Sequence, residues 1–83
     1  MLEWKEYAPH QFCNYNHAIA ETPFGDFLIT WKGWKERPMF TVDETPWGDW
    51  IGPYSRLEIA KEECEYEFSK RVMDSLSLLA RNT

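Results

Sequence analysis

Cysteine, histidine and glycine are scarce in this chain of 83 residues, which has two Cys, two His and four Gly. Two cysteines cannot build the disulfide framework of a small secreted domain, so a reducing cytoplasm is the expected compartment. The glycines are dispersed, leaving no phosphate-cradling loop, and neither a zincin pattern nor a nucleophile elbow occurs. No stretch approaches the roughly 20 apolar residues that a membrane-spanning helix needs, and the first residues carry neither the basic region nor the apolar run of a signal peptide. Positive charge is also short. Nine Lys and Arg stand against fourteen Asp and Glu, a net charge of −5 that disfavours wrapping along nucleic acid or an anionic lipid surface. The composition expects no membrane, no cofactor and no nucleic acid; it suits a basic partner or plain solubility.

Aromatic side chains are abundant, with five Trp, four Tyr and five Phe. A domain of this length buries only roughly 60–65% of the surface its unfolded chain exposes. Large rings supply the apolar area per residue that such a core needs and argue against disorder. Residues 1–83 are expected to form one domain.

One eight-residue stretch occurs twice. Glu21-Thr22-Pro23-Phe24-Gly25-Asp26-Phe27-Leu28 recurs as Glu44-Thr45-Pro46-Trp47-Gly48-Asp49-Trp50-Ile51, with aromatic replacing aromatic and aliphatic replacing aliphatic. Thr-Pro-aromatic-Gly suits a type I turn in which Pro presets φ and Gly takes the left-handed position that re-enters a strand through a bulge. The first copy joins Tyr15–Glu21 to Asp26–Lys32, where Tyr15, His17 and Ile19 face one way and Asn16, Ala18 and Ala20 the other. The second joins Met39–Asp43 to a short strand at Trp50 and Ile51 that Gly52-Pro53 closes. Residues 1–14 are read as a possible edge strand and a loop, and residues 15–54 as two β-hairpins.

From Ser55 the hydrophobic period becomes helical. Ser55 and Glu58 match a capping box, and Leu57, Ala60, Cys64, Phe68, Val72, Leu76 and Leu79 follow in one apolar stripe. Glu58, Glu62 and Glu63 early, and Lys70, Arg71 and Arg81 late, suit the helix dipole. The fold class expected is α+β: an antiparallel sheet of four strands, or five with the N-terminus, and one helix over residues 55–80 packed on one face. Such a helix is about 37 Å long, against a sheet diagonal of about 30 Å, so its last turns with Leu76 and Leu79 would need cover from the N-terminal segment, a second copy or another protein.

Several residues are candidates for function. Ile59, Tyr66 and Met73 lie seven apart on the side of the helix opposite its main stripe, where a solvated face would not need them. Trp31-Lys32-Gly33-Trp34-Lys35, followed by Arg37, interleaves rings and cations as a stacking platform or an interface hot spot does. His10, Cys13, His17 and Cys64 depart from the spacing of zinc ribbons and fingers, and Cys64 falls on the core stripe, so no metal is expected. Asp26 and Asp49 recur for turn chemistry, with no base or nucleophile beside them in sequence, and the chain is read as a non-enzyme.

An aromatic N-terminal stretch, a Thr22-Pro23-Phe24-Gly25 turn, a Trp-rich middle and a helix opening Ser55-Arg56-Leu57-Glu58-Ile59-Ala60-Lys61 together resemble small α+β proteins encoded by phages and prophages. That resemblance extends over most of the chain and implies a phage-like origin, with the host-cell cytoplasm as its location. Anti-CRISPR and other anti-defence inhibitors are well represented among such proteins, and they act by occupying the nucleic-acid-binding surface of a host complex. The function expected is a non-catalytic inhibitor whose acidic helix face, Glu62, Glu63 and Glu67, meets a basic groove, with Tyr66 or Trp34 as anchors and Ile59 and Met73 beside them. The alternatives are a self-associating accessory module, a homodimer through the helix seam, and a single-stranded nucleic-acid binder using Trp31, Trp34 and Lys35.

Overall fold

Alternation along residues Asn16–Thr22 (β2) divides the sheet into two faces: Ala18 and Ala20 are fully buried, whereas His17 and Ile19 keep partial access to solvent. Its neighbour Gly25–Trp31 (β3) buries Phe27 and Ile29 on the same side. In a computed structural model describing residues 2–11 and 13–81, with side chains described as far as residue 74, these strands are joined by Trp4–Tyr7 (β1), Phe40–Glu44 (β4) and Ile51–Tyr54 (β5), followed by a helix, Leu57–Arg81 (α1). The sheet is a five-stranded antiparallel meander in the order β1-β2-β3-β4-β5. The fold is α+β, as the alternation and the change of period imply, and the N-terminal segment supplies the fifth strand. The boundaries of β2, β3 and β4 differ by one residue from those expected.

Two local expectations need correction. Trp50 was expected to start the last strand and Gly52-Pro53 to end it; instead Trp50 lies outside the strand, 67% exposed, and Gly52 and Pro53, linked by a cis peptide bond, lie inside it. β5 is the sheet edge, paired with β4, and a proline is tolerated there because an edge strand has an outward side with no ladder bond to lose. The helix also starts later than the cap signal implied. Its first hydrogen bond runs from Ala60 N to the Arg56 carbonyl at 3.2 Å, so Arg56 is the N-cap, the third helical position is Ile59, and the Ser55–Glu58 box does not form among the described residues.

The two repeated turns come together at one end of the sheet. Both glycines have positive φ, 128° at Gly25 and 92° at Gly48, which L side chains rarely adopt. Thr22 Oγ1 accepts from Phe24 N at 3.1 Å and donates to the Gly25 carbonyl, closing a loop of only Pro23 and Phe24. Thr45 Oγ1 reaches one residue further, donating to the Asp49 carbonyl at 2.7 Å, and pairing resumes only at Ile51. A Cβ on Gly25 would sit 3.1 Å from Pro46 Cα, which shows how closely the turns abut.

Above them lies α1. Ala60 and Cys64 join Ala18, Ala20, Phe27, Ile29 and Val42 in a fully buried core. Phe27 is its hub, with ring centroids 5.4 Å from Trp47 and 6.2 Å from Phe68, both edge-on, and Phe68 is 6.3 Å from Phe24. The Arg71 guanidinium stacks 4.0 Å from the Trp47 ring centroid, capping the second turn. On the β1 side, Lys61 pairs with Glu6 at 3.0 Å, and Leu2 N donates to Glu65 at 3.3 Å. Beyond Val72 the helix backbone continues to Arg81, giving a molecule 52 Å long and 23 × 19 Å across. Leu76 and Leu79, expected to need cover there, have side chains outside the described residues.

Because Gly25 faces Pro46 and Gly48 has nothing within 4 Å of a built Cβ, the two alanine variants should differ. Gly48→Ala is expected to cost about 1–2 kcal/mol from backbone conformation alone. Gly25→Ala should cost more in urea melts, and equal losses would show that the turns do not press on one another.

Candidate functional site

Residues of α1 that point away from the core carry the features a partner could recognise. Along this face Ile59, Tyr66 and Met73 are 37%, 62% and 66% exposed, although each is large and apolar. Seven-residue steps advance about 10.5 Å each, so the three mark a line about 21 Å long. Glu62 is exposed beside Tyr66, and Glu58 and Lys70 are exposed on its flanks. Shallow depressions adjoin both ends of the line: Ile59 borders one with Pro38, Phe40 and Leu57, and Met73 another with Leu2, Phe68 and Val72.

The remaining candidates lie elsewhere. Glu63 and Glu67 are half-buried and lean towards Tyr54 on β5, whose hydroxyl is pushed above its ordinary pKa by burial first and then by Glu63, Cys64 and Glu67. The acidic face is split, with Glu62 on the outward line and Glu63 and Glu67 at the sheet edge. Trp34 belongs to the connection between β3 and β4, 61% exposed, with its ring 5.9 Å from Tyr15. The structure brings Ile59, Glu62, Tyr66 and Met73 onto one face and leaves Trp34 apart from them. No family model, curated protein or solved structure matches this chain.

His17 stacks on Tyr7 with centroids 4.8 Å apart, Cys64 is enclosed in the core, and among the described residues no three His, Cys, Asp or Glu side chains are grouped to hold a metal. Nor is any described helix long and apolar enough to cross a membrane. Burial foremost, with Glu63 and Glu65 adding, pushes the Cys64 thiol up to about 12, which disfavours its thiolate.

Two clusters escaped the sequence reading because strand pairing assembles them. One is the apolar depression of Phe24, Pro46, Trp47, Phe68 and Arg71, which unites both turns with the helix. The other gathers Lys32, Lys35 and Arg37 around Tyr15, Thr30 and Thr41 on the face opposite α1. Its basic half was visible as the segment from Trp31 to Arg37. The two threonines could have been found by placing them, through alternation, on the strand face opposite Ile29 and Val42.

Thiol labelling tests the placement of Cys64. At pH 8 the folded protein should react at Cys13 alone, with Cys64 labelling only on unfolding; comparable rates for both would put Cys64 outside the core. Its folded thiol titrates near 12 and an ordinary one at 9.0, so its contribution to stability is full below pH 9.0 and declines as pH rises towards 12.

Proposed function

We propose that this chain is a non-catalytic protein-binding inhibitor that lays the outward face of α1 into a basic, nucleic-acid-binding groove of its partner, in the manner of phage anti-CRISPR proteins. The observation that carries this reading is the exposure of Tyr66 and Met73 in line with Ile59 on a helix whose opposite side is committed to the core. Tyrosine is enriched among interface hot spots, and the flexible thioether of methionine adapts to irregular partner surfaces. Glu58 and Glu62 give that face a charge complementary to a groove built for phosphates, and the net charge of −5 would speed encounter with it. A phosphate-binding groove therefore fits this face.

The seven-residue spacing also favours a second reading, in which the same line pairs with its copy in a second molecule across a two-fold axis. That reading expects the mass to rise with concentration, and a monomeric mass at high micromolar concentration removes it.

DNA-binding assays on CRISPR effector complexes test the inhibitor reading. The wild-type protein should weaken DNA binding by a susceptible effector, and Tyr66→Glu should lose at least about tenfold in potency, on the scale of an interface hot spot, with no change in melting temperature. Unimpaired DNA binding by every effector type tried overturns the proposal. Monomeric Tyr66→Glu and Met73→Glu from a dimeric parent, without effect on any effector, would assign the face to self-association.

A further inference from the structure

Three of the nine cations of this acidic chain converge on one cavity far from the line on α1. Lys32, Lys35 and Arg37 border a space of about 300 Å³ on the helix-free face of the sheet, floored by Thr30 and Thr41, which are direct partners across β3 and β4. A turn closed by Lys35 N donating to the Lys32 carbonyl at 3.1 Å holds the two lysines near one another. It is wedged in place: a Cβ on Gly33 would fall 2.3 Å from Asn16 Oδ1. The ion pair found among the described residues joins Lys61 to Glu6, so none of the three cations is neutralised by a salt bridge there. Of the acidic groups nearby, Asp43 accepts from the Thr30 hydroxyl, and Glu36 is exposed in the connecting segment.

Aromatic surface completes the wall. Lys32 Nζ lies 5.8 Å above the Tyr15 ring, and Tyr15 in turn touches Trp34. Trp31 separates this cavity from a second, more open depression that Trp34 borders with Asn14 and Asn16. We infer that the cavity and the adjoining depression together bind one nucleotide unit, its phosphate held in the cavity by Lys32, Lys35 and Arg37 and its base lying against the exposed Trp34 ring next door. A space at the small end of the range for ligand sites, about 300–1,000 Å³, suits the phosphate and sugar of one such unit. A long strand would be repelled, because the other six cations of the chain face fourteen carboxylates. The unit comes either as a free mononucleotide or as the phosphorylated end of a short single strand. This site is independent of the face proposed for inhibition, and its failure leaves that reading untouched.

Tryptophan fluorescence and calorimetry at low salt test it, with nucleoside monophosphates, the matching nucleosides, inorganic phosphate and a 5′-phosphorylated oligonucleotide of about ten residues as probes. Binding of monophosphates identifies the free nucleotide as the source, and binding of the oligonucleotide alone identifies a strand end. In either case the nucleoside should bind at least about tenfold more weakly, Lys35→Ala with Arg37→Ala should lose at least about tenfold, and Trp34→Ala should lose a comparable factor, consistent with one stacked base. All three side chains are exposed, so the circular dichroism of the variants should match the parent. The inference is overturned if no probe binds up to ~1 mM, if the double variant binds as the parent does, or if inorganic phosphate binds as tightly as the nucleotides.

Discussion

Burial on one side of the sheet is the constraint from which the rest of the molecule follows. A five-stranded meander has two faces, and one helix can cover only one of them. Ala18, Ala20, Ala60 and Cys64 are small enough to let α1 lie close, while Phe27, Ile29 and Val42 fill the remaining core. Once the helix takes that side, the opposite face must be tolerable in water. His17, Thr30, Thr41 and Asp43 make it so, with Tyr7 stacked on His17 and Thr30 bonded to Asp43. The cationic cavity lies on this uncovered side, at the end where β3 leaves the sheet.

The same constraint explains why the repeated turns carry aromatic groups. A helix of 25 residues outruns the strands beneath it, and the ends of the two hairpins extend the platform. Phe24 and Trp47 rise from equivalent turn positions to meet Phe68 and Arg71, so the sequence repeat is a packing device as well as a turn signal. The copies are not interchangeable. The first closes tightly with a shared threonine hydroxyl, whereas the second spreads over more residues to bring Trp47 under the helix.

Much of this architecture was legible in the residues. The alternation of His17, Ala18, Ile19 and Ala20 divides the strand between two faces, as a period of two requires, and the structure buries the alanine side. The helical spacing of Leu57, Ala60, Cys64 and Phe68 does the same for α1, and the exposed line of Ile59, Tyr66 and Met73 is its geometric complement. Local signals misled where tertiary contacts decided: Pro53 reads as a strand terminator until its strand is known to be an edge, and Ser55 reads as a cap until the first helical bond falls on Arg56. The cavity around Lys32, Lys35 and Arg37 was only half legible. Thr30 and Thr41 are eleven residues apart in the chain and become neighbours through the register of β3 and β4.

The two borders of the sheet have a bearing on how anything could attach to this protein. β1 is four residues long and carries Lys5 and Glu6, and β5, equally short, contains Pro53, which offers no backbone donor. Neither border is a good template for an incoming strand. Polymerisation by strand addition is thereby discouraged at both sides, and visitors are left to engage through rings, charges and shape on the two broad surfaces between them.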